Sequence, residues 1–465
     1  LPEAPADPAA APFRASDIAR SKENVMSHPV QIDLRVLSRE PTIRGSVQEL
    51  YRLEIDGKGY QLCRTSESGS VFDVGTIFSV PKSDVLRTVI RHAIFTALGD
   101  PATWQAITED DVKYCFGSED LRRDLLQSPE FDELRRRGAR THHLGMIDAA
   151  TGKVVAAGLP DPPSNLVLIE EFPVIRPRRL TLWGRHAWEY QPYFLASRKV
   201  VGLENVFRLG NPGGSSLQKR FEKAVARGGA EEGKKFLLSV GLKEEIKPWG
   251  MFTDMIFDCT TKYEPEDRYL SWNETVALAG VSGETFARLA RTLAACTVYA
   301  AKFFRRLGFT LWDIKWEAAV DGDEVVVVDT IDPDSIRITG ETVHEGRRLF
   351  IHFNKQSIRD YYRILHAEWY AAINDAKKQA ETDAQGREFM TIYREGVGRG
   401  VYPPIPVYDP KFAAIQSAKY ELMVKPILKP GSEPEAKEQA QALMRREIEV
   451  YQQAGKLAEF LRLVS

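Results

Sequence analysis

Apolar positions along the chain switch between alternation and helical spacing as far as Arg359, and helical spacing dominates beyond it. Between 30 and 73, short β-rich runs are separated by turn signals. Residues 51–55, the tetrad Asp56-Gly57-Lys58-Gly59 and residues 60–63 read as a hairpin. Over 82–98, Val85, Val89, Ile90, Ile94 and Phe95 fall on one helical stripe. The highly charged stretch 119–138 is expected as an exposed helical excursion, and 151–168, with several Pro and Gly, as a loop crossing. A β-rich middle leads to a helix over 217–227. Residues 282–306 put Phe286, Leu289, Leu293, Cys296 and Tyr299 at core spacing on an amphipathic helix. Two strands follow, 310–318 and 324–329, joined by Asp321-Gly322-Asp323. Helices are expected over 359–380 and 433–463, with a proline-rich interruption at Tyr402-Pro-Pro-Ile-Pro. There is no internal repeat at solenoid periods.

Length and composition narrow the class. A chain of 465 residues predicts two or three domains, and 43% apolar with 28% charged residues is ordinary for a globular protein. Four scattered cysteines fit a reducing compartment, so a cytoplasmic location is expected. The histidines form no HExxH pattern and cluster only at His142-His143, which argues against structural zinc. With 63 basic and 65 acidic residues the net charge is −2, too little positive charge for a non-specific nucleic-acid binder but compatible with a local anion site. No apolar run reaches the roughly 18–20 residues of a bilayer span, so no membrane partner is expected. The start at Leu1 reads as a processed or vector-derived end. Residues 1–13 lack the features of a signal peptide, and 1–29 are expected as a flexible leader.

Three stretches carry candidate chemistry. In Leu311-Trp-Asp-Ile-Lys-Trp-Glu317, alternation puts Asp313, Lys315 and Glu317 on one face and Trp312, Ile314 and Trp316 on the other. The aromatic face can pack on the preceding helix, and the charged face either meets water or lines a site. The next strand, 324–329, is apolar on both faces and therefore expected to be central; it ends in Asp329, followed by Asp332-Pro-Asp-Ser-Ile-Arg337. Carboxylates converging with Lys and Arg are what Mg²⁺ with a polyphosphate requires, although a self-paired surface network uses the same residues. Second, Arg208-Leu-Gly-Asn-Pro-Gly-Gly-Ser-Ser216 opens a helix, and its Gly and Ser residues make either an anion cradle or a plain N-cap. Third, Asn354-Lys355-Gln356-Ser357-Ile358-Arg359 sets a basic pair at a helix start.

In this order the segments resemble the SAICAR synthetase family, phosphoribosylaminoimidazole-succinocarboxamide synthases. Gly45-Ser-Val-Gln-Glu-Leu-Tyr51 looks like the family's Gly-Lys-Val-Arg-Asp-Val-Tyr loop, Ser70-Val-Phe-Asp73 like Ser-Ala-Phe-Asp, and Gly138-Ala-Arg-Thr-His-His143 like Gly-Ile-Pro-Thr-His-Phe. Glu204 to Arg208 with Gly214-Ser-Ser216 is similar to the Glu-Val-Val-Val-Arg and Gly-Ser pair, at spacing about two residues longer. Thr260-Thr-Lys262 with Glu264 and Asp267 is similar to Thr-Thr-Lys-Ala-Glu. Leu311 to Glu317 matches Leu-Val-Asp-Phe-Lys-Leu-Glu, Asp332 to Arg337 matches Ser-Pro-Asp-Ser-x-Arg, and Lys355, Gln356 and Arg359 match Asp-Lys-Gln-x-x-Arg. The anchors run from about Gly45 to Arg359.

The resemblance implies an α+β, two-lobed fold of antiparallel sheets with flanking helices and an ATP cleft between the lobes. On that plan 30–165 would be the nucleotide lobe, 166–360 the substrate and Mg²⁺ lobe, and 361–465 a helical extension. It implies an ATP-dependent ligase of purine biosynthesis, joining the carboxylate of an aminoimidazole ribonucleotide to the aspartate amine through an acyl phosphate. Implied roles are catalysis for Lys315, Asp313 and Arg337, and Mg²⁺ binding for Glu317 and Asp329. Substrate binding would fall to Arg208, Ser215, Ser216, Asp334, Arg337, Lys355 and Arg359, and ATP binding to Gly45, Ser46, Tyr51, Lys262 and Glu317. The implied partners are the ribonucleotide acid, the amino acid and ATP, and the 433–463 helix could serve an oligomer or an intramolecular cap. Some positions depart from the pattern. Ser46 and Gln48 stand where the family has Lys and Arg, Thr330 where it has Glu, and Asn354 where it has Asp. An insertion lies around 176–197. These departures leave open a related ligase for another acid or amine, as in nucleoside natural-product synthesis, and a non-catalytic nucleotide-binding relative.

Overall fold

The computed structural model describes residues 30–264, 267–383 and 386–465; the expected leader lies outside them. The chain is α+β, with two large antiparallel sheets of six and seven strands, two further two-stranded pairs, flanking helices and a helical C-terminal region. The predicted hairpin is present as Gln48–Ile55 paired with Lys58–Thr65. Its Asp56-Gly57 turn takes φ of 51° and 74°, as a two-residue turn between twisted strands requires. The expected loop crossing over 151–168 instead supplies Val154–Val155 and the start of Leu166–Glu170. Leu166 to Ile169 are consecutive apolar residues buried on both faces, so the strand lies inside the sheet between Lys58–Thr65 and His143–Ile147. The charged excursion is two short helices, Glu119–Leu126 and Pro129–Arg137, separated where Ser128 caps the second. It is only partly exposed, because Leu125, Phe131 and Leu134 are buried in the main core.

The second sheet is built around one long strand, Thr310–Asp321. Its first half lies between Leu203–Asn211 and Ile336–His344, and its second half between Arg198–Val200 and Glu324–Val328. Gly250–Thr261 and Arg347–His352 extend the sheet outward. Glu324–Val328 is buried as its apolar character predicts but is not central: it pairs with Thr310–Asp321 along one edge and meets the chain on the other edge at Val327 alone. The Val327 N–H donates to the Arg140 carbonyl and the Val327 carbonyl accepts from His142, which ties the second sheet to the chain entering the first. Helix Gly283–Arg306 covers the apolar face, and the Trp316 indole donates to Thr297 Oγ1 at 2.8 Å. The predicted aromatic face is correct for Ile314 and Trp316 but not for Trp312. A register shift between Leu311 and Asp313 breaks the alternation, and Trp312 packs with Trp249 and Phe350 instead.

The expected helix over 217–227 runs as Ser216–Ser239 through a kink at Gly228 and Gly229. The one over 359–380 is two helices, Lys355–Leu365 and Ala367–Glu381, and the last is Glu433–Gln453 followed by Leu457–Val464. Phe389–Gly398 and Pro410–Leu428 were not anticipated. Pro410–Leu428 packs between Ser83–Leu98 and Glu433–Gln453. It carries Lys419 into the core, where the ammonium meets Glu447 and donates to the His352 carbonyl at 2.6 Å and Ser357 Oγ at 3.2 Å. Both charged side chains are 1% exposed. A charge buried this deeply is tolerated only with its partner in place. Lys419→Met should therefore cost about 3–5 kcal/mol in urea unfolding, and Lys419→Met with Glu447→Leu should recover most of that loss. Additive losses in the double variant would show that the pair is not coupled.

Candidate active site

Asp313, Lys315 and Glu317 step along one face of Thr310–Asp321. The neighbouring strand sets Arg208 opposite Asp313, and on the same side of that strand Glu204 reaches Lys315. At the Glu317 end the site is a carboxylate pair among lysines. Glu317 contacts the Lys262 ammonium, lies 3.6 Å from Lys315 Nζ and shares a hydrogen bond with Asp329. Burial, then the neighbouring Asp329, raises the Glu317 carboxyl above the usual carboxylate range. Burial alone would lower the Lys315 ammonium, but Glu204 and Glu317 outweigh it and hold the group protonated.

At the other end guanidinium groups gather. Arg337 donates to Asp313 Oδ2 at 2.8 Å, and Arg208 bonds Asp258 at 3.2 Å, Ser216 Oγ at 3.2 Å and the Tyr269 hydroxyl at 3.3 Å. Ser216 opens the long helix. Ser215, the other predicted serine, is buried as its N-cap, accepting from the Leu217 N–H. Gly214 has φ of 75°, and a Cβ there would lie 3.1 Å from Gln356 Nε2 and 3.6 Å from Arg363 Nη1, so the turn lies against helix Lys355–Leu365. Arg359 of that helix has no hydrogen bond or ion pair with any described residue. Burial, then Arg337 and Arg363 beside it, lowers its guanidinium below the ordinary value. Lys355 Nζ lies 3.9 Å from Asp334, whose other partner is Arg87 at 3.2 Å.

The predicted ATP residues divide. Gly45 and Ser46 form the turn before Gln48–Ile55, where the Gly45 N–H donates to the Gln48 carbonyl. Gln48 reaches across to the second sheet and donates to Thr330 Oγ1 at 2.6 Å. Two departures from the family pattern thus meet, a neutral pair standing where an Arg and a Glu are expected. Tyr51 is not brought to the site: its ring is in the small core on the other face of the first sheet, with its hydroxyl donating to Glu49. Sequence reasoning missed Glu204 as the partner of Lys315, Asp258 and Tyr269 as partners of Arg208, and Arg87 and Arg91 on helix Ser83–Leu98. Arg87 bonds Asp332 at 2.9 Å, and Arg91 donates to Gln48 at 3.2 Å. Two arginines four apart on the helix that carries the apolar stripe Val85 to Phe95 were the available signal.

Among the described residues no group of three or more His, Cys, Asp or Glu is disposed to hold a metal. Glu317 and Asp329 alone fit a hard cation that completes its shell from phosphate oxygens and water, as Mg²⁺ does beside a nucleotide. Their shared proton and mutual repulsion are what a cation would relieve.

These features define an α+β protein whose central sheet presents a face of paired charges, with lysines and carboxylates at one end and arginines with a helix N-terminus at the other. Residues 195–376 match the family model described as SAICAR synthetase. All the candidate residues except Gly45, Ser46 and Tyr51 lie inside it. An Archaeoglobus fulgidus protein provisionally named phosphoribosylaminoimidazole-succinocarboxamide synthase is 28% identical over 279 residues, 59% of this chain and 71% of that protein. A Thermoplasma volcanium phosphoribosylaminoimidazole-succinocarboxamide synthase is 29% identical over 165 residues, 35% of this chain and 56% of that one. A solved SAICAR synthase of Saccharomyces cerevisiae in complex with SAICAR aligns with a TM-score of 0.45 at 17% identity, covering 86% of this chain and 98% of that one.

His142 links the site to acid stability. Its Nε2 donates to the Asp329 carbonyl at 3.0 Å, and burial, then Arg91, pushes the imidazole down to about 3. The folded chain therefore binds fewer protons here than the unfolded chain between about pH 6.5 and 3. This contribution is complete above pH 6.5 and is lost as the pH falls. In His142→Gln the slope of unfolding free energy against pH below 6 should flatten by up to about 1.4 kcal/mol per pH unit. An unchanged slope would mean that His142 takes up its proton freely in the fold.

Proposed function

We propose that the chain is an ATP-dependent carboxylate–amine ligase, joining carboxyaminoimidazole ribonucleotide and L-aspartate to give SAICAR, ADP and phosphate. The observation that carries this reading is that a single strand face places Lys315 between the Glu317–Asp329 pair and the arginine cluster. A substrate whose phosphate rests on Arg337, Arg359 and the Ser216 helix start would extend its carboxylate towards Lys315. ATP held at the opposite end would direct its γ-phosphoryl group to the same place.

In the first half-reaction a substrate carboxylate oxygen attacks the γ-phosphorus and ADP leaves, giving an acyl phosphate. In the second, the amine attacks the acyl carbon, phosphate departs and the amine loses a proton. Lys315, kept protonated by Glu204 and Glu317, offsets the negative charge that builds up where the two anions meet. Lys262, on the far side of Glu317, is placed to meet the nucleotide phosphates. Glu317 and Asp329 would hold Mg²⁺, which supplies charge neutralisation on the polyphosphate. Arg208 is fixed by Asp258, Ser216 and Tyr269, so its role is to set the ribonucleotide subsite rather than to move.

Phosphate release from ATP should require the ribonucleotide and aspartate together. Silence with all three present, while ATP and the ribonucleotide still bind by calorimetry, would exclude this substrate pair. Lys315→Met, which keeps the apolar stem, should lower kcat by about a hundredfold to a thousandfold. Arg337→Ala should instead raise KM for the ribonucleotide by about tenfold or more and leave that for ATP nearly unchanged. Equal effects of the Arg337 change on both KM values would remove the assignment of the two ends.

A further inference from the structure

The insertion before the family-matched segment is a two-stranded hairpin, Arg178–Leu182 with Arg185–Glu189, followed by the short helix Gln191–Phe194. Its tip projects outward, with Trp183 97% exposed. Its foot is fixed. Tyr193 is buried against Gly202 and Gly280, where a Cβ would strike its atoms at 2.5 and 2.3 Å, and the Tyr190 hydroxyl donates to Glu264. Gly202 also accepts from the Lys262 N–H at 3.2 Å, so the insertion is attached to the segment that delivers Lys262.

Arg176 lies at the entry to this hairpin. Its guanidinium carbon is 5.3 Å from the centroid of the Tyr263 ring, and Lys262 Nζ is 5.7 Å from the same ring. Glu317 and Asp329 are both close enough to act on the Tyr263 hydroxyl. Arg176 is exposed and has no hydrogen bond or ion pair with a described residue. An unpaired guanidinium therefore shares the Tyr263 ring with Lys262, whose ammonium contacts Glu317. On the first sheet, residues 45–48 carry no charged side chain of their own, and Gln48 is committed to Thr330 and Arg91.

We propose that Arg176 is a polyphosphate ligand for ATP, supplying from the insertion the positive charge that Ser46 and Gln48 lack. The hairpin is then part of the nucleotide site. This rests on the ligase reading in taking ATP as the nucleotide. The guanidinium fork would bind β- and γ-phosphate oxygens while its face stays on Tyr263. AMP, which lacks those phosphates, would make no such contact.

Calorimetry on the full chain with MgATP and with AMP tests the assignment. Arg176→Ala should weaken MgATP about tenfold and AMP less than about twofold, and Arg176→Lys should restore much of the MgATP affinity. Equal MgATP affinity in wild type and Arg176→Ala would overturn this inference alone. An equal loss of MgATP and AMP would also overturn it, by showing that Arg176 merely supports the hairpin. Wild-type protein that binds neither nucleotide would overturn the ligase reading and this inference with it.

Discussion

Everything at the site depends on strand Thr310–Asp321 being hydrogen-bonded on both edges across Asp313 and held by neighbours on either side up to Asp321. A strand held that way cannot twist one residue out of register without breaking bonds to its neighbours. Three ionisable side chains on a pleat therefore become three stations at fixed spacing. The register shift before Asp313 belongs to the same constraint, since it turns Trp312 to the opposite face and leaves Asp313 aligned with Arg208 and Arg337. Helix Gly283–Arg306 presses on the back through Ile314 and Trp316.

Burial then governs the charges. Asp258 and Asp313 hold Arg208, Glu204 holds Lys315, and Asp332 with Asp334 holds Arg87. Charges taken this far out of water persist only when each has such a partner. Against that background the imbalances stand out. Glu317 and Asp329 crowd two carboxylates together, whereas Arg337, Arg359 and Arg363 crowd positive groups. The sheet is thus polarised along one strand, one end suited to a cation and the other to an anion.

Much of this was legible in the residue pattern because it is local. Alternation in 311–317 placed Asp313, Lys315 and Glu317 together, and the all-apolar run after Glu324 marked a buried strand, although that strand pairs along one edge and is not central. What escaped was non-local. Arg87 and Arg91 reach the site only because helix Ser83–Leu98 packs where the two sheets join, and no spacing in the chain announces that contact. Tyr51 matched a family position yet lies on the far face of its strand, since Gln48 and not Tyr51 points towards Thr330. Helix Pro410–Leu428 was hidden by the proline cluster before it. Pro410 itself sits in the first turn, where a missing N–H costs nothing.

The buried Lys419–Glu447 pair has a consequence for how such a protein can be built. Lys419 and Glu447 belong to helices well beyond residue 376, yet their partners, Ser357 and the His352 carbonyl, lie within the family-matched segment. The helix bearing Lys355 and Arg359 is therefore underpinned by the extension. The 195–376 segment is a unit of resemblance without being a unit of assembly. A chimaera that kept it and exchanged the remainder for another scaffold would strand Ser357 over a vacant seat.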